Sequence, residues 1–264
     1  MCPRFALAFP ASRLREMTRI DNPLDFPPRY NIAPTQPVVA IRRGPNNGRE
    51  SLLVRWGLVP GWVKDPSDFP LLINARVESA AEKPSFRDAM SHGRCIIPAS
   101  GYYEWKKGPG NQKQPFYVHP EDGGFFALAG LMTSWEGPNG EVVDTAAILT
   151  QPATGDLAKI HPRTPVALRA HQFDLWLDTA NIRKKEALTV VEPIWDLGIV
   201  AFPVDRRVGS TRVEGPELIQ PIDLDAAGTD GPPPSPKKRA AAAKPAKAAK
   251  LDKPAKPSGQ GELF

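Results

Sequence analysis

The sequence is poor in residues on which many enzymes rely. Its 264 residues hold two cysteines and four histidines, and His92, His119 and His171 form no metal-ligand spacing with Cys2 or Cys95. No metal or other cofactor is expected. Two thiols also exclude a disulfide framework. No apolar run approaches the ~20 residues that cross a bilayer, and the opening MCPRFALAFP lacks the apolar region and cleavage pattern of a secretory signal. These absences predict a cytoplasmic, nucleoid-associated protein with no membrane partner. Positive charge is missing from most of the chain as well. Residues 230–264 carry eight Lys/Arg against Asp230, Asp252 and Glu262, which leaves 26 bases and 26 acids before them. A nucleic-acid partner would have to be held by a few placed arginines in a local groove, not by a global field.

What is present is punctuation: 31 prolines and 21 glycines separate short β-like runs, among them RFALAF, VVAIRR, SLLVRWGL, CIIPASGYYEW, PFYVH, FFALAGLMTSW, VDTAAILT, PVAL and IVAFPV. Helical signals are fewer: Ala11 to Arg19, a stretch near Pro84 to Ser91, and His171 to Leu177 extending through Lys184 to Leu188. The pattern predicts an α+β fold, a single β-rich domain over residues 1–222 with a curved antiparallel sheet and peripheral helices. From Asp223 the chain becomes rich in Ala, Lys and Pro. Residues 223–259 cannot bury enough apolar surface to offset their ordering entropy, which predicts a disordered basic tail.

Cys2 stands out chemically. Removal of Met1 would leave a free α-amine and a thiol on adjacent carbons, and together these condense with an aldehyde to a five-membered thiazolidine. An α-amine of pKa about 7.7 to 8.0 is partly neutral near pH 7, and a nearby cation such as Arg4 would help populate the thiolate. Position alone leaves open that Cys2 is an incidental residue at a frayed terminus.

Five further segments bear on that choice: RYNIAPTQ at 29–36, WGLVPGW at 56–62, LINARVES at 72–79, CIIPASGYYEWKK at 95–107 and IHPRTPVAL at 160–168. At these blocks, in this order, residues 2–222 resemble the SOS-response-associated peptidase family. The resemblance implies a single β-rich domain that links an N-terminal cysteine to abasic sites in single-stranded DNA. It would display peptidase-like behaviour in exposing its own N-terminus and an abasic-site lyase side activity. Carried over by motif, the functional residues would be Cys2, Asn74, Glu104 and His161, with Arg4, Arg76 and Arg163 on DNA phosphates. The sequence departs from the family at Pro3, where Gly is usual, and at Pro162, where Asp is common.

These residue types suit that chemistry. Loss of hydroxyl from a carbinolamine needs a proton donor, which a partly buried carboxyl such as Glu104 could be; the alternative is a surface residue paired with Lys106. His161, extended ahead of Pro162, could orient the sugar or exchange protons. Asn74 closes the apolar run PLLI and could hold Cys2 or the sugar, or be a strand-end turn residue. Trp62 in the PGW loop could stack on a base or belong to the core. The terminal QGELF resembles a motif that docks on the bacterial sliding clamp, through Gln260, Leu263 and Phe264. A monomer is expected. Two other readings stay open: a thiol peptidase or amidohydrolase using Cys2 with His161 and Asn74, and a non-catalytic DNA-binding adaptor recruited through its tail.

Overall fold

The structure, a computed structural model, describes residues 2–20, 23–44, 48–189, 191 and 198–224. The expected linker beyond Leu224 and the QGELF terminus lie outside the described residues. Thirteen strands form among those described. The first seven are β1 (Arg4–Leu7), β2 (Arg29–Ile32), β3 (Pro37–Arg43), β4 (Arg49–Trp56), β5 (Asn74–Arg76), β6 (Arg94–Ala99) and β7 (Gly101–Lys107). They continue with β8 (Lys113–Pro120), β9 (Phe126–Glu136), β10 (Val142–Pro152), β11 (Arg163–Pro165), β12 (Ala167–Leu168) and β13 (Ile199–Pro203). Six short α-helices lie between them: α1 (Ala11–Thr18), α2 (Val77–Ala80), α3 (Arg87–His92), α4 (Gly155–Ala158), α5 (Phe173–Leu177) and α6 (Lys184–Ala187).

The strands build two sheets. A five-stranded sheet runs in the order β13-β8-β7-β1-β2, and all its pairings are antiparallel. An eight-stranded sheet runs β11-β10-β4-β3-β6-β9-β12 with β5 added beside β10. Because β10 also pairs with β9, strands β10, β4, β3, β6 and β9 close on themselves as a ring. Closure removes exposed edges from those five strands. It also explains why β6 (RCIIPA) is buried at every position: both faces are covered, so alternation gives way to a continuous apolar run. Across the ring, β9 carries Gly130 opposite Cys95 because a Cβ there would meet the Cys95 sulfur at 2.7 Å.

The helices follow local rules. In α1, Ala11, Leu14 and Thr18 are buried at helical spacing, so one stripe packs on the core. Arg19, left-handed at φ 55°, ends it by returning its N–H to the Arg15 carbonyl at 2.9 Å. Behind the ring, the buried Arg94 at the start of β6 donates to the carbonyls of Met90, Trp176, Asp178 and Ile182 and so ties α3 and α5 to the sheet.

The expected β-rich α+β fold with peripheral helices is the observed one, and the expected single sheet is in fact two. CIIPASGYYEW divides at Ser100 into β6 and β7, whose strands belong to different sheets. The helix expected to run from His171 into Leu188 is two helices, α5 and α6. Asn74 opens a strand and does not merely close the apolar run before it.

Candidate active site

Segments far apart in the chain converge where the two sheets meet. The Phe5 and Trp56 rings, 5.0 Å apart and edge to face, pack β1 of one sheet against β4 of the other. The buried hydroxyls of Tyr102 and Thr164, 2.8 Å apart, join β7 to β11 in the same way. Along this seam Cys2 precedes β1, and the register of β1 on β7 sets Arg4 opposite Tyr103, which brings Glu104 beside the first residues of the chain. In the other sheet, β10 acts as a beam. The parallel pairing with β5 sets Asn74 opposite Ile148, and the antiparallel pairing with β11 sets Arg163 opposite Pro152. His161 lies in the loop between α4 and β11, fixed by its own N–H on the Leu157 carbonyl at 3.0 Å.

Hydrogen bonds connect these residues. Asn74 Nδ2 donates to the Cys2 carbonyl at 3.0 Å, and the Cys2 thiol donates to the Arg4 carbonyl at 3.5 Å. His161 Nδ1 stands 3.3 Å from Glu104 Oε1. Cys2 and Glu104 are buried, whereas the His161 side chain is 27% exposed, so the imidazole is the outermost member. Asn74 Oδ1 is buried and has no hydrogen-bond partner among the described residues. A ligand donor reaching it would offset its desolvation.

Electrostatics favour neutral groups here. Burial pushes the Glu104 carboxyl above its ordinary range and pulls the His161 imidazole below its own. Both shifts favour the uncharged form of each group, which weakens their contact as an ion pair. Arg163 serves His161 Nδ1 in either state. Its N–H donates to the bare nitrogen and its carbonyl accepts from a protonated one, each at 3.1 Å. The ring can therefore exchange a proton at Nδ1 without losing its backbone partner.

The cysteine differs from expectation. Burial, and after it the Glu104 carboxylate, push the Cys2 thiol far up, so the resting sulfur is protonated. Arg4 does not populate a thiolate. Its guanidinium turns to Asn31 Oδ1 at 2.7 Å and to the carbonyls of Val208 and Gly209 at 3.0 and 3.1 Å. Arg163 is likewise engaged, by Glu78 and Thr150. Of the three arginines expected on phosphates, Arg76 alone is exposed with no side-chain hydrogen bond to a described residue. Trp62 is at the surface, 57% exposed, with its ring edge to face with Phe69.

Sequence reasoning passed over Tyr102, Thr164, Thr150 and Glu78. For the first three no local signal exists, since each matters through a partner from a distant strand. Glu78 had a signal: it sits inside LINARVES, two residues beyond Arg76.

Residues 1–211 match the family described as SOS response associated peptidase (SRAP). The chain is 36% identical over 239 residues to the abasic site processing protein YedK of Escherichia coli, covering 84% of this chain and 100% of that protein. It is 35% identical over 223 residues to the abasic site processing protein YoqW of Bacillus subtilis, covering 83% and 99%. The abasic site processing protein HMCES of Mus musculus is 30% identical over 247 residues, covering 80% of this chain and 69% of that protein. A crystal structure of a protein from Bacteroides thetaiotaomicron shares the fold at a TM-score of 0.71 and 24% identity, over 84% of this chain and 100% of the other.

Proposed function

This chain belongs to the SOS response associated peptidase (SRAP) family, and from that premise we propose that it captures abasic sites in single-stranded DNA through Cys2, once Met1 is removed. The observation that carries this reading is the Glu104 carboxyl, buried 3.3 Å from His161 and beside the first residues of the chain, where burial raises its pKa. An aldehyde-capturing amine needs a proton donor, and a carboxyl whose protonated form is favoured by burial suits that task.

The Cys2 amine attacks C1′ of the ring-opened sugar and gives a carbinolamine. Glu104 protonates its hydroxyl, water leaves, and an iminium remains. The protonated thiol then adds through sulfur to C1′, returning the electron pair to nitrogen, and its proton goes back to the Glu104 carboxylate. The sum is aldehyde plus aminothiol to thiazolidine plus water. Closing the ring matters to the DNA because an iminium acidifies the C2′ protons and invites elimination of the 3′ phosphate; a tetrahedral C1′ no longer does. Asn74 holds the Cys2 carbonyl so that amine and thiol face the same carbon. His161, at the outer side, passes protons between the opened sugar and Glu104. Arg76 lines the approach for phosphates, whereas Arg4 and Arg163 are held by partners within the chain, and Trp62 offers a face to a base.

Intact mass before and after incubation with an abasic oligonucleotide tests the reading. The expected product lacks Met1 and gains one oligonucleotide less one water. Cys2→Ala abolishes the adduct, and Cys2→Ser keeps an amine that cleaves the strand. Adduct formation by Cys2→Ala, or by protein that retains Met1, would falsify the mechanism. A thiol peptidase is disfavoured by the protonated, buried sulfur, since such enzymes work through an accessible thiolate. The domain acts as a monomer, and Gln260, Leu263 and Phe264 moor it to a sliding clamp. A peptide of the last residues binds clamp in titration, and its Leu263→Ala, Phe264→Ala form does not.

A further inference from the structure

Arg163 is one of the arginines expected on phosphates, yet its guanidinium is already engaged within the chain. Glu78 of α2 takes it with both oxygens, Oε1 from Nη1 at 2.5 Å and Oε2 from Nη2 at 3.0 Å. Nη2 also donates to the Thr150 carbonyl at 2.5 Å, with the Thr150 hydroxyl at 3.3 Å. The Arg163 side chain is 14% exposed, while Glu78 is half open to solvent. A fork-to-fork pair of this kind fixes orientation as well as position. The Arg163 hydrogen bonds hold the Glu78 carboxyl below its ordinary range, so it is ionised throughout the neutral region.

The backbone of that same Arg163 is what holds His161 Nδ1, through N–H and carbonyl alike. One line of contacts therefore runs from Glu78 to Arg163, from Arg163 to His161, and from His161 to Glu104. We propose that Glu78 is a positioning residue for the capture reaction: by clamping Arg163 it sets the His161 ring against Glu104, and it does so by withholding Arg163 from the DNA. The inference rests on the reading given above and adds a residue to it. Glu78 touches no reacting atom. Its consequence is that affinity and reaction are set against one another, because the N–H groups that would grip a phosphate are the ones that hold the loop.

Full-length Glu78→Ala and Glu78→Gln, compared with wild type on single-stranded oligonucleotides with and without one abasic site, test this. In Glu78→Ala adduct formation under single turnover slows on the order of tenfold to a hundredfold, as for a misplaced catalytic group. Binding to the undamaged strand tightens instead, and the slope of log affinity against log salt steepens by about 0.7, one phosphate contact on a single strand. Glu78→Gln, which keeps one acceptor for Arg163, falls between, and it carries the test should the alanine variant fold poorly. The His161 ring, followed by NMR, titrates closer to its ordinary value in Glu78→Ala because a released ring is less buried. A wild-type rate with an unchanged His161 titration overturns the proposal. So does loss of binding in step with loss of rate, the mark of a mere phosphate-site defect. Absence of any adduct with wild-type protein overturns the capture reading instead, and the salt slope and His161 titration still decide the role of Glu78.

Discussion

Arg94 and Glu104 are both ionisable side chains taken out of water, one behind the strand ring and one at the seam between the sheets. They solve the cost of burial in opposite ways. Arg94 remains a cation and gives its N–H groups to four carbonyls at 2.6 to 2.9 Å, with its guanidinium 5.7 Å from the centre of the Trp176 ring. Glu104 lessens the cost by a shift toward its neutral form. A buried ion satisfied by fixed dipoles has no proton to trade and serves as a fastener. A buried carboxyl whose protonated form is favoured beside an imidazole has a proton it can give.

By that distinction, Glu104→Gln removes a proton donor and spares the frame. Adduct formation falls by about 10²- to 10⁴-fold, the range for a lost general acid, measured under single turnover. Stability moves the other way with pH. The folded pKa of Glu104 is raised, so wild type keeps this contribution in full below the unfolded value and loses it as pH rises through the folded one. Thermal melts from pH 4 to 8 then show Glu104→Gln gaining on wild type as pH increases. Arg94→Met should do the reverse. Four carbonyls lose their donor, at a cost on the order of 3 to 5 kcal/mol, which is roughly 10 °C in melting temperature for a domain of this size. Below that temperature the adduct forms at the wild-type rate. An Arg94→Met protein that melts normally would break the comparison.

Smaller effects sharpen it at the rim. Trp62→Ala lowers affinity for single-stranded DNA by about 1 to 3 kcal/mol if one base stacks there, with the rate from saturated complex unchanged. Arg76→Ala makes the salt dependence shallower by about 0.7 in slope, a few-fold in affinity near physiological salt. Fluorescence anisotropy across a salt series reads both. A drop in saturated rate for either variant would move that residue from the approach into the reaction.

The long runs VVAIRR, FFALAGLMTSW and VDTAAILT were legible as strands because their composition and length carry the signal. The strands β2 and β5, of four and three residues, were not, since so short a strand exists only through its neighbours. The parallel pairings of β10 with β4 and β5 were equally invisible, being contacts between segments some seventy to ninety residues apart. At the site, alternation could place Glu104 on a face without deciding which face is dry. In β7 both Tyr102 and Tyr103 are buried, so neither face is wet there, and the carboxyl between Tyr103 and Trp105 lies under cover. Arg94 is illegible for a related reason: apart from Met90, its partners lie 82 to 88 residues away along the chain.

The pairing of β1 with β7 has a consequence in time. Cys2 ends wholly buried, but the strand that covers it, Gly101–Lys107, is made about a hundred residues later, and the loop with His161 later still. At about 5 to 20 residues per second of synthesis, the N-terminus leaves the ribosome on the order of ten to thirty seconds before its pocket can close. Cys2 is thus open to solvent in the young chain and out of water only after the seam has formed.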